Sequence, residues 1–109
     1  MIGWFRHYFA DEDVWFHYEV DDEGWVCRQV DLRGTDLSPL TAATLAEVLH
    51  ARDTGGLEAV IAYEKRFGVL AEGAASEEEV GAWPGVEEIS AGEFERVWTT
   101  AREHLERAT

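Results

Sequence analysis

Residues 14–30, VWFHYEVDDEGWVCRQV, decide the fold. Two runs rich in β-branched and aromatic residues flank an acidic turn that ends in glycine, which is the pattern of an antiparallel hairpin. A three-residue loop of this kind favours a last residue in the left-handed conformation, and Asp22-Glu23-Gly24 supplies it. With Asp21 facing Trp25, a regular ladder places Val20 opposite Val26, Tyr18 opposite Arg28, Phe16 opposite Val30 and Val14 opposite Leu32. Glu19, His17 and Trp15 then face Cys27, Gln29 and Asp31 on the other side of the sheet. A slip of one residue would exchange the faces, so the apolar alternation supports this register. It predicts a mainly aliphatic face turned to the core, with Arg28 as its one charged member and structural anchor. The other face carries Trp15, His17, Glu19, Trp25 and Gln29.

Residues 2–9, IGWFRHYF, read as a further strand before the polar turn ADED, and the third strand extends over 25–33. Ser38-Pro39 has the form of a helix start, with Ser as cap and Pro at the first helical position. It predicts a helix to about Arg52 with Leu45, Val48 and Leu49 on one side. Gly55-Gly56 stops that helix. A second is predicted over 57–67, burying Leu57, Val60, Ile61 and Phe67. The segment 69–85 reads as a short strand, VLAE, followed by a loop with a solvated Glu77-Glu78-Glu79 run and Trp83-Pro84 pinning it to the core. Ser90-Ala91-Gly92-Glu93 matches a capping box. Phe94, Val97, Trp98, Ala101 and Leu105 follow at helical spacing, so the last helix runs to about Glu106. The expected fold is one α+β domain over 1–109: an N-terminal three-stranded antiparallel meander packed against two or three helices on one face.

Composition narrows the function. The chain has 109 residues, 46% of them hydrophobic and 12% aromatic, with five Trp, which suits one packed domain. Its 23 acidic and 9 basic residues give a net charge of −14. Such a chain is repelled by phosphate backbones and anionic membranes and attracts basic proteins. There is no apolar run long enough to span a bilayer and no signal-peptide pattern at the start, and the lone Cys27 forms no internal disulfide, so a cytoplasmic protein is expected.

No catalytic signature is legible. Cys27 lies in a strand opposite a carboxylate, which raises a thiol pKa. His7, His17, His50, His104 and Cys27 show no metal-ligand spacing, so no metal or cofactor is expected. Ser38, Ser76 and Ser90 read as caps or loop residues, and no glycine loop for phosphate is present. A small hydrolase would need a closed constellation around Glu19 or His17. The mixed face with Trp15, His17, Glu19 and Trp25 combines aromatic rings with polar anchors, as recognition surfaces do. Ser90, Glu93 and Trp98 read as structural. Free strand edges leave a homodimer open.

Tyr18, Glu19, Val20 and Asp21, with Arg28 in the next strand and the Ile89-Ser90-x-x-Glu93-Phe94-x-x-x-Trp98 helix, resemble a family of small bacterial single-domain proteins of unknown function. The likeness covers about half the chain. Similar proteins are sometimes suspected to be immunity proteins that neutralise secreted toxins, and the resemblance implies a protein-binding role. The sequence therefore points to an acidic, non-enzymatic protein-binding domain of the immunity or antitoxin-like type with a basic partner. The alternative is a domain that binds a small molecule or effector in an aromatic pocket between sheet and helices.

Overall fold

The computed structural model describes residues 3–71, 77–83 and 85–107. The chain is α+β. Strands β1 (Gly3–Phe9), β2 (Val14–Val20), β3 (Val26–Arg33) and β4 (Ser38–Thr44) precede helix α1 (Leu45–Phe67). Helix α2 (Glu77–Gly81), strand β5 (Glu87–Ile89) and helix α3 (Ala91–Arg107) complete the order. The strands form one antiparallel sheet in the order β4-β3-β2-β1-β5. The meander thus has four strands, and the C-terminal segment adds a fifth beside β1.

Ser38-Pro39 does not start a helix. It opens β4, where proline is tolerated because the strand lies at the sheet edge. The ladder shifts there too: Asp31 pairs with Thr41 and Leu32 with Pro39, leaving Leu40 extra. The helix begins six residues later than Ser38-Pro39 suggests, at Leu45, where the Thr44 side chain accepts a hydrogen bond from the Glu47 amide at 3.0 Å. Thr44-Leu45-Ala46-Glu47 is the start signal that prevails.

The hairpin turn forms as its sequence dictates. Gly24 has φ 86°, the Asp21 amide donates to the Trp25 carbonyl at 3.0 Å, and Val20 pairs with Val26. Beyond that pair the ladder departs from the regular register. A bulge at Cys27 brings Arg28 opposite Glu19, Gln29 opposite Tyr18, Val30 opposite His17 and Leu32 opposite Trp15. The physical gain is twofold. Arg28 meets a carboxylate instead of a tyrosine, and the aliphatic residues of β3 are divided between the two faces of the sheet. Val30 and Leu32 pack with Ala42, Ile89, Trp4 and Trp15 under α3, which contributes Phe94, Val97, Trp98, Ala101 and Leu105. Val26 stays on the opposite face with Val20, Tyr18, Phe5, Phe16 and Ala43. Leu45, Tyr63, Leu70 and Trp83 close that second cluster. Helices on one face only are therefore not what forms, because both faces carry a core.

α1 is broken at Gly56, whose φ of 66° and ψ of −155° belong to neither helix nor strand. Only glycine adopts that conformation freely. The second arm turns back along the first: the Tyr63 hydroxyl accepts from the Thr44 amide at 2.9 Å and donates to Glu47 at 2.7 Å. Arg102 of α3 joins them, 2.5 Å from Glu47 and 3.7 Å over the Phe67 ring. The expected break at Gly55-Gly56 is thus present, as the corner of a helical hairpin.

In the 69–85 segment, Val69–Ala71 is irregular and not a strand, and Glu72 and Pro84 lie outside the described residues. The glutamate run begins α2, with Glu79 exposed. Trp83 does pin its loop, with its ring 5.2 Å from Tyr18 and 5.6 Å from His7.

Candidate functional site

The four residues expected to share a recognition surface are separated. The bulge places Trp15, His17 and Glu19 on the sheet face that α3 covers, and Trp25 on the opposite side. Trp15 is half-buried, with the Arg6 guanidinium 5.2 Å above its ring. His17 is 4% exposed, with Nδ1 3.3 Å from the Val30 carbonyl, and burial lowers its pKa.

Glu19 is the centre of a polar network at the edge of the α3 contact. Its two oxygens accept from Arg28 Nε at 2.9 Å, Arg28 Nη2 at 2.8 Å and Trp4 Nε1 at 2.9 Å. Those donors, Arg28 first, hold its carboxyl below the usual range. Arg28 also pairs with Glu95 of α3 and lies 5.0 Å from the Phe94 ring and 5.3 Å from the Trp98 ring. It sits where a sheet-to-helix anchor would. Ser90 Oγ accepts from the Glu93 amide at 3.0 Å, as a cap should. The Glu93 carboxylate lies 3.7 Å from Arg6. This arrangement joins elements: Glu19 accepts three hydrogen bonds from β1 and β3, and His17 is enclosed beneath α3. Cys27 has its thiol pKa raised by burial and by Asp21, which opposes thiolate chemistry.

A second polar cluster lies inside the other core. Gln29 Nε2 donates to both oxygens of Asp31, at 3.0 and 3.1 Å, and Gln29 Oε1 accepts from the Ala71 amide at 2.7 Å. Burial pushes Asp31 up to about 6, against the pull of its hydrogen bonds from Gln29 and Thr41. This cluster ties the segment after α1 to the sheet. Its sequence signal is the alternation Gln29-Val30-Asp31-Leu32, in which polar and apolar residues are both buried.

The open feature is on the same side as Trp25. A groove of about 530 Å³ runs between the helical hairpin and the β2–β3 connection. Leu45, Val48, Leu49 and Arg52 of the first arm form one wall, and Leu57, Val60 and Glu64 of the second form another. Trp25, Val26, Leu70 and Ala71 complete it. Leu57 is 73% exposed, Trp25 41%, Ile61 43% and Val69 60%. The stripe expected to be buried is thus divided: Phe67 is buried as expected and Val60 half-buried, whereas Leu57 and Ile61 face outward. Sequence pattern identifies these residues as apolar; it does not show that several of them stay exposed.

Among the described residues no cluster of three His, Cys, Asp or Glu could hold a metal ion, and no helix is long and apolar enough to cross a membrane. No protein family, curated protein or solved structure matches the chain.

Proposed function

We propose that the chain is a non-enzymatic protein-binding domain whose contact surface is the groove between the α1 hairpin and Trp25. The observation that carries this reading is the exposure of Trp25, Leu49 and Leu57 around one groove on a chain of net charge −14. Large apolar side chains clustered in the open mark an interaction site, and an aromatic anchor at a groove is a frequent hot spot. The surrounding negative charge favours a basic partner and rapid, salt-sensitive association. An inhibitor of the immunity or antitoxin type, acting in the cytoplasm on a basic protein, fits both properties and the resemblance of the 18–28 and 89–98 segments to small bacterial proteins of that suspected role.

Paired capture tests the reading. Immobilised wild-type chain and a Leu57→Glu variant are exposed to the same native lysate. One stoichiometric partner retained by wild type, lost with the variant and released by salt is the expected result. Recovery of identical proteins by both, or of none, contradicts it.

A second reading draws on the groove's volume, which lies within the range of small-molecule sites. Saturable thermal stabilisation by a metabolite would favour it.

A further inference from the structure

We infer that the groove takes an amphipathic helix with a cationic outer face. The inference rests on the binding reading above and adds the chemistry of the occupant. Three features lead to it.

The first is the poverty of polar groups in the walls. Arg52 and Glu64 are the ionisable side chains of the groove, and Arg52 is held by Asp53 at 3.2 Å. An occupant entering such walls leaves its own backbone N–H and C=O groups without partners unless it satisfies them internally. A helix does so; an extended strand does not. The hairpin walls are themselves helical, so side-chain packing is the available mode of recognition.

The second is length. Two further exposed apolar side chains follow Leu57 in sequence without belonging to the cavity's lining. Ile61 lies one turn beyond Leu57 on the second arm, and Val69 follows beyond the end of α1. A small molecule confined to the cavity leaves these in water, whereas a helix laid along the hairpin covers them.

The third is charge. Asp22 and Glu23 precede Trp25, Glu58 follows Leu57 and Glu64 lines the groove. The cations of the hairpin are Arg52, paired with Asp53, and Lys65 and Arg66 in the last turn, with Arg66 4.8 Å over the Phe67 ring. Carboxylates therefore dominate the groove's surroundings and the chain as a whole. A helix with Lys or Arg outside its apolar stripe is complementary; an anionic helix is repelled.

The test uses the whole chain and three probes: a Leu/Lys amphipathic peptide of about 18 residues, its Leu/Glu counterpart with the same apolar pattern, and laurate. Calorimetry gives affinity and stoichiometry, and circular dichroism follows peptide helicity. The expected result is 1:1 binding of the Leu/Lys peptide with a gain of helix, and no binding of the Leu/Glu peptide. Leu57→Glu, at an exposed position that leaves the fold intact, weakens binding by about tenfold or more. The sign is decisive, because the variant adds a negative charge. If adhesion were only electrostatic, it would bind the cationic peptide as tightly or more tightly, and that result overturns the inference. Equal binding of the Leu/Glu peptide overturns it as well. Laurate bound in preference to either peptide, and lost in Leu57→Glu, overturns the helical occupant but keeps the groove as a binding site. Insensitivity of every probe to Leu57→Glu removes both.

Discussion

α3 and α1 carry similar apolar spacing and put it to opposite uses. Phe94 of α3 is 0% exposed against Val30 and Ala42, and its neighbour Trp98 is flanked by the guanidinium groups of Arg28 and Arg102. On α1, Leu57 and Ile61 recur just as regularly and stand in the open. The difference lies in the chain's path. α3 runs across a sheet face already lined with Val30, Leu32 and Trp4, while beyond the corner at Gly56 the second arm of α1 packs inward through Tyr63 and Phe67 and leaves Leu57 and Ile61 outward. Helical periodicity reports which side of a helix is apolar; it does not report whether the partner of that side is within the same chain.

The contrast can be broken by substitution. Phe94→Ala should cost about 3–5 kcal/mol in chemical denaturation, since it empties a fully enclosed site. Leu57→Ala should fall within about 0.5 kcal/mol of wild type, as surface changes do. Comparable losses at the two positions would show that the hairpin is buried in solution. Arg28→Ala comes next, at about 1–3 kcal/mol, because it leaves Glu19 half-buried with only Trp4 as donor. The Glu19 pKa is lowered in the fold, so this contribution is present above pH 4.5 and fades as the solution is acidified through the folded value. Equal Arg28→Ala losses at neutral and strongly acidic pH would contradict that linkage.

Gly56→Ala sharpens the comparison at the corner itself. Beyond the adjoining backbone nothing lies within 4 Å of the added methyl group, so the cost expected is conformational. We expect about 1–3 kcal/mol and a loss of binding at the groove, since the arms can no longer meet at the same angle. Unchanged stability would mean that the corner does not depend on glycine.

One substitution is expected to be a gain. Asp31 is raised to about 6 in the fold from 3.8, so its contribution is fully present below pH 3.8 and is lost as pH rises through 6. Asp31→Asn should therefore add about 1–2 kcal/mol near neutrality, and the gain should vanish below about pH 4. His17 has the opposite slope: its pKa is lowered by burial, so its protonation erodes stability as pH falls below 6.5. Absence of any gain near neutrality, or a gain that persists undiminished below about pH 4, would contradict the raised Asp31 pKa.

Much of this fold is legible in the residues. The first three strands, the Asp22-Glu23-Gly24 turn, the glycine break and the α3 cap follow from local chemistry: propensity, turn geometry and capping. The register past Val26 does not. It depends on the pairing of Arg28 with Glu19, and a single bulge at Cys27 puts Arg28, Val30 and Leu32 on the face of Trp15, His17 and Glu19, which α3 covers. A regular alternation has no means of expressing that choice, because the gain comes from α3, some 60 residues further on. Ser38-Pro39 misleads for a related reason. Its local preference for a helix start yields to the edge position beside β3, and the equally local Thr44–Glu47 signal takes over. β5 has only three residues and no pattern of its own. Of the site, Trp25 is legible as an aromatic anchor, whereas the apolar spacing of the hairpin walls by itself predicts a core stripe.

The central claim is that the chain keeps one apolar surface for itself and leaves another for a partner. Methyl NMR with a soluble paramagnetic relaxation agent tests it most directly. The account predicts strong relaxation at the Leu49, Leu57 and Ile61 methyls and protection at Val30, Leu32 and Ala42. Leu57 methyls as protected as those of Val30 would contradict it.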